Sequence, residues 1–103
     1  MFRIRFFFDA GSGICFWAGN EAARQKYDYP IEASTLPMSE NLWREAVYIC
    51  AWYDTSIDWE YPPDDSPWSS SERNIFNRKV RDFFARVQAE LGSEYELVNE
   101  SKV

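Results

Sequence analysis

A chain of 103 residues has the length of one domain, and residues 1–103 are read as a single unit. Its net charge of −6 and pI near 4.6 argue against nucleic-acid or anionic-membrane binding, which need a basic footprint, and favour either a basic partner or plain solubility. Histidine is absent, which removes the commonest general base, every Ser–His or Cys–His nucleophile pair and all imidazole metal ligands.

Phe2-Arg-Ile-Arg-Phe-Phe-Phe8 alternates apolar and basic through residue 6. This predicts a strand with Phe2, Ile4 and Phe6 inward and Arg3 and Arg5 outward. Asp9-Ala-Gly-Ser-Gly13 is a turn-rich loop; with no Lys after it, it is a hairpin connection and not a phosphate loop. Ile14 to Ala18 is apolar on both faces and suits a central strand paired with the first. Asn20 caps a short helix, Glu21 to Tyr27. A proline-interrupted loop follows, with a short strand expected near Ile31.

Ser39 caps a second helix running to about Tyr53. Leu42, Ala46, Ile49 and Tyr53 form one stripe on it, and Trp43, Val47 and Cys50 a neighbouring one. From Val47 to Tyr53 it is apolar nearly all round, which predicts the most buried helix. Ser69-Ser-Ser-Glu72 is a capping box that opens a third helix ending at Gly92, with Phe76, Val80, Phe83, Val87 and Leu91 on one face. Glu94 to Val98 alternates as a last strand, with Tyr95 and Leu97 inward, and residues 99–103 read as a flexible polar tail. The order β-β-α-α-α-β predicts an α+β two-layer sandwich, its small antiparallel or mixed sheet covered on one face by helices.

Cys15 and Cys50 are flanked by Ile14, Phe16, Ile49 and Ala51 and read as reduced core residues; two isolated cysteines make no zinc site. The opening residues hold no signal peptide, and no window approaches the roughly 18 apolar residues of a membrane span, so a cytoplasmic protein is expected.

The most unusual stretch joins the second and third helices. Residues 52–68 hold three of the five Trp and three of the five Pro, and between Asp54 and Glu72 there are six carboxylates and no cation. Two readings compete. In one, Trp59, Tyr61 and Trp68 lid the core and the acids pair with Arg73, Arg78, Lys79 and Arg81. In the other, the stretch is a recognition surface. Asp54, Asp58, Glu60, Asp64 and Asp65 then supply charge for a basic protein partner, and Trp59, Tyr61 and Trp68 supply rigid anchors. The prolines lower the entropy lost on binding.

Leu36-Pro-Met-Ser39, the junction from Trp52 to Trp59, Tyr61-Pro-Pro63, Pro67-Trp68 and the ending Glu90-Leu-Gly92 … Tyr95-Glu-Leu-Val98 resemble small acidic bacterial immunity proteins paired with secreted or contact-dependent toxins. The resemblance implies a non-enzymatic inhibitor, a monomer or weak dimer with no cofactor, that binds one cognate toxin domain; it carries over no catalytic residue.

Two other classes stay open. Asp54 and Asp58, four apart, would share a face if the second helix continued through Ser56, and could form an acid/base pair in a pocket. A homodimer through an exposed first strand is the other, made harder by Arg3 and Arg5 guarding that edge. A calcium site on Asp58, Glu60, Asp64 and Asp65 does not match the spacing of an EF-hand loop.

Overall fold

The alternating segment Phe2–Phe6 forms the strand β1, placed in the middle of a four-stranded sheet. The computed structural model describes residues 1–62 and 65–101. In chain order come β2 (Phe16–Ala18), α1 (Glu21–Tyr27), β3 (Pro30–Ile31), a 3₁₀ turn (Ala33–Thr35), α2 (Glu40–Asp54), α3 (Ser70–Leu91) and β4 (Tyr95–Asn99). The strand order is β3-β2-β1-β4, with β1–β2 and β2–β3 antiparallel and β1–β4 parallel, so the sheet is mixed. This is the expected α+β order.

Register follows the pleat. Ile4 pairs with Ala18 and with Leu97, and Phe6 pairs with Phe16, so their side chains share the inner face. All five are buried. On the outer face Arg3 lies opposite Glu96 and binds it at 2.9 Å. β1 is therefore interior, and the expectation that its arginines guard an exposed edge is corrected. With a strand hydrogen-bonded on each side, Arg3 and Arg5 instead meet Glu96 and Glu100 across the solvent face.

The caps fall where the sequence places them. Asn20, Ser39 and Ser69 side chains accept from the N–H groups of Ala23, Leu42 and Glu72. Gly92, at φ 82°, closes α3 in a conformation only glycine adopts freely. The α3 stripe Phe76, Val80, Phe83, Val87 and Leu91 is wholly buried against the sheet and α2. Cys15 and Cys50 are free and buried, and burial, with the neighbouring Cys50 thiol adding to it, pushes the Cys15 thiol up.

α2 departs from its expected burial. Val47 and Tyr48 stand 55% and 62% exposed, and only Leu42, Ala46, Ile49 and Cys50 are buried. The second layer is one helix deep, so α2 has a packing partner on one side only and its remaining apolar residues face water.

The polar ending is tied down as far as Ser101. The Glu100 N–H donates to the Phe6 carbonyl at 2.8 Å, and its carboxylate takes both Nε and Nη2 of Arg5. These bonds put the backbone groups of Glu94 and Glu100 toward β1 and, by alternation, those of Tyr95 and Leu97 outward. Gln88 of α3 fills that edge. Its side-chain amide donates to the Tyr95 carbonyl at 3.2 Å and accepts from the Leu97 N–H at 3.1 Å, the two bonds a fifth strand would make.

Gln88→Ala is expected to cost about 1–3 kcal/mol from the two groups left unpaired. It should also shift the chain toward larger species in sizing by light scattering; an unchanged unfolding midpoint and unchanged size would overturn the role. A second expectation concerns pH. Tyr27 and Tyr95 share a hydroxyl hydrogen bond of 2.6 Å; burial, then that bond, raises the Tyr27 hydroxyl above its ordinary value. An acid whose folded pKa is raised stabilises below its unfolded pKa, about 10, and loses that contribution as pH climbs toward the folded value. Tyr27→Phe is therefore expected to flatten the fall in stability above about pH 10, read by denaturant titration.

Candidate protein-binding surface

The acidic segment is held at both ends, by Asp54 at one and Trp68 at the other. α2 stops at Asp54, where the N–H groups of Thr55 and Ser56 fold back onto the carbonyls of Trp52 and Tyr53. The carboxylate of Asp54 accepts from the Gly11 N–H at 3.0 Å, which fastens the end of α2 to the β1–β2 loop. Gly11 sits at φ +81°, where a side chain is strained, and Trp59 lies at ordinary contact distance, 3.5 Å, from where its Cβ would be. The Trp59 indole N–H donates to the Asp54 carbonyl at 2.9 Å, orienting the ring while leaving it 55% exposed. One oxygen of Asp58 accepts from the N–H groups of Glu60 and Tyr61 at 3.1 and 3.3 Å, a local turn that holds Tyr61 outward at 61% exposure.

Trp68 does the opposite. It is 7% exposed, packs on Phe76 at 4.8 Å between ring centres and on Trp52 at 6.3 Å, and donates its indole N–H to the Thr55 hydroxyl at 2.8 Å. An outward anchoring role for Trp68 is thus corrected: beside the Ser69 cap, its ring drops onto the open end of α3. Trp68 takes the lid position, while Trp59 and Tyr61 stand in water.

Among the described residues, no cation forms an ion pair with the segment's carboxylates. Among the described residues the ion pairs are Arg3–Glu96, Arg5–Glu100, Arg44–Glu40 and Arg86 with Glu45 and Asp82, and none reaches the segment. The expected pairing with Arg73, Arg78, Lys79 and Arg81 does not form among them. Glu60 and Asp65 are exposed, and Asp9 of the neighbouring loop adds another exposed acid; Asp64 lies outside the described residues. Asp54 and Asp58 do not share a helix face, because α2 ends at Asp54, and each is spent on backbone N–H groups. Neither lines the two larger clefts of this end.

One of those clefts, about 560 Å³, is lined by Arg5, Phe7, Phe8, Tyr53, Asn99 and Glu100. Phe8 stacks on Tyr53 at 4.8 Å, and the two-pronged bond to Glu100 raises the Arg5 guanidinium further above its ordinary value. The other, about 670 Å³, lies between α3 and the end of β4, lined by Asn74, Asn77, Arg78, Arg81, Asn99 and Ser101, with Val80 at its base. Phe7, Phe8 and Asn99 join this end of the molecule with no motif to mark them; the only trace is that the alternation of β1 breaks at Phe7-Phe8.

A small α+β domain whose carboxylates and aromatic rings project from one end, and whose acidic pair is committed to the backbone, has the features of a protein-binding module. The chain belongs to the Serratia CdiI immunity protein-like family, whose model matches residues 3–102. It is thereby related to bacterial immunity proteins paired with contact-dependent toxins, and the family supports a toxin-neutralising role. No curated protein matches it. No helix among the described residues is long and apolar enough to cross a membrane.

The two kinds of tryptophan should separate experimentally. Trp68→Ala is expected to cost about 3–5 kcal/mol of stability, as loss of a buried ring does. Trp59→Ala should cost less than about 1 kcal/mol. Equal losses in chemical denaturation would contradict the division into lid and surface.

Proposed function

We propose that this chain is a non-enzymatic immunity protein of the cytoplasm that neutralises a basic toxin domain by docking its acidic, aromatic segment onto it. Asp54, Asp58, Glu60, Asp64 and Asp65 supply the negative field, and Trp59 and Tyr61 supply the anchors. Trp68 holds the segment's far end in place from inside. The observation that carries the reading is that, among the described residues, no ion pair reaches the segment's carboxylates, beside two rings more than half exposed, on a chain of net charge −6. Opposite charge steers a basic partner to the surface, and rigid rings then provide contact at low entropic cost. The protein needs no cofactor for this and acts as a monomer or weak dimer.

Glu60 and Asp65 make no side-chain bond within the described molecule, so charge reversal there tests docking without touching the fold. Binding to the toxin domain encoded next to this chain is measured by calorimetry. Glu60→Lys with Asp65→Lys is expected to weaken it about 10- to 100-fold and to reduce its dependence on salt. Trp59→Ala with Tyr61→Ala should weaken it at least as much. Unchanged affinity in both double variants would sink this surface.

A further inference from the structure

We infer that the cleft between α3 and the end of β4 is a second, oppositely charged contact, which takes a carboxylate side chain of the same partner. The inference rests on the docking reading above and adds a site to it. Arg78 and Arg81 sit three apart on α3, both exposed, and both line the cleft. Their treatment differs from that of Arg3, Arg5, Arg44 and Arg86, each of which has a carboxylate within 3.0 Å. Among the described residues, no acid pairs with Arg78 or Arg81 and none lines the cleft.

Like charges one turn apart repel, so the molecule tolerates a small cost here with no internal return. Much of the rest of the lining is polar: the side-chain amides of Asn74 and Asn99 carry N–H donors for an oxyanion, and the Ser101 hydroxyl donates to the Asn99 Oδ1 at 2.6 Å, which leaves the Asn99 amide nitrogen as that residue's donor end. Two planar guanidinium forks on one cleft match the flat, two-oxygen geometry of a carboxylate.

Position and charge choose the source of that oxyanion. Asn74 to Arg81 lie five to twelve residues beyond Ser69, roughly 7–18 Å along the helix axis from the acidic segment's end. One protein partner can span both. A nucleic acid or a free multivalent phosphate must approach against a chain of net charge −6, with the acids of the segment close by. A basic protein docked on that segment brings its occasional Asp or Glu to the cleft with no such barrier. Two contacts of opposite sign also fix the orientation of the partner, which a single charged patch does not.

The test is affinity for the neighbouring toxin domain, measured beside the thermal midpoint of each variant. Arg78→Glu with Arg81→Glu is expected to weaken binding about 10- to 100-fold with the midpoint unchanged. Each exchange shifts the charge by two, taking the chain from −6 to −10, which by long-range steering alone would favour a basic partner. A loss therefore reports a local contact. Arg78→Lys with Arg81→Lys, which keeps the charge and removes the forks, should fall between. Reversing one partner Asp or Glu to Lys should restore binding to the Glu variant. Unchanged affinity in Arg78→Glu/Arg81→Glu while Glu60→Lys/Asp65→Lys still weakens it overturns the cleft and leaves the docking reading standing. Failure of the parent chain to bind overturns both. Titration of the isolated chain with inorganic phosphate at constant ionic strength, followed by arginine Nε–H resonances, separates the sources. Saturation of Arg78 and Arg81 below about 1 mM would reassign the cleft to free phosphate.

Discussion

The ring of Phe76 is the constraint on which this end of the molecule depends. It lies fully buried in the first turns of α3 and meets Trp68 at 4.8 Å, Trp52 at 5.0 Å and Phe8 at 5.5 Å. Those neighbours come from the end of the acidic segment, from α2 and from the chain just past β1. One apolar contact thus ties three parts of the sequence together, at about 25 cal/mol for each Å² removed from water. Trp68 is sunk there and Asp54 is fastened to Gly11, and of the described residues between them Ser56 is buried while Trp59 and Tyr61 face water.

The same economy shapes the electrostatics. On the sheet's outer face the cations are matched across strands, Arg3 to Glu96 and Arg5 to Glu100, and along the helices Arg86 joins Asp82 to Glu45. Such exposed pairs each contribute little to stability, so their value lies in leaving those faces close to neutral. Among the described residues, no ion pair reaches the acidic segment or the cations Arg73, Arg78, Lys79 and Arg81 of α3. The docking proposed above would need this arrangement, since internal neutralisation would remove the field that attracts a partner.

Membership in an immunity-protein family gives this polarity a purpose. An inhibitor of one cognate toxin needs speed and selectivity more than it needs chemistry. In the docking proposed above, long-range attraction would speed encounter, while rigid rings and a second contact of the other sign would discriminate among partners. The carboxylates best placed to act as an acid/base pair, Asp54 and Asp58, are instead used to stop α2 and to shape the turn that presents Tyr61.

Much of the fold was legible in local pattern. The β1 alternation, the Asn20, Ser39 and Ser69 caps and the five-residue stripe of α3 each obey a short-range rule, and each appears where that rule puts it. The acidic, aromatic character of residues 52–68 was equally plain from composition. Periodicity reports which residues prefer to leave water, not whether the fold has room for them. Trp59 and Trp68 are the same residue type nine positions apart, yet one is in solvent and the other in the core. Val47 and Tyr48 look like core and are left outside because only one layer of helices was available to cover α2. The parallel pairing of β4 with β1, the filling of its edge by Gln88 and the meeting of Arg78 and Arg81 with Asn99 and Ser101 all join residues far apart in the chain. Only closure of the tertiary structure decides such meetings, because no local preference encodes which distant segment arrives.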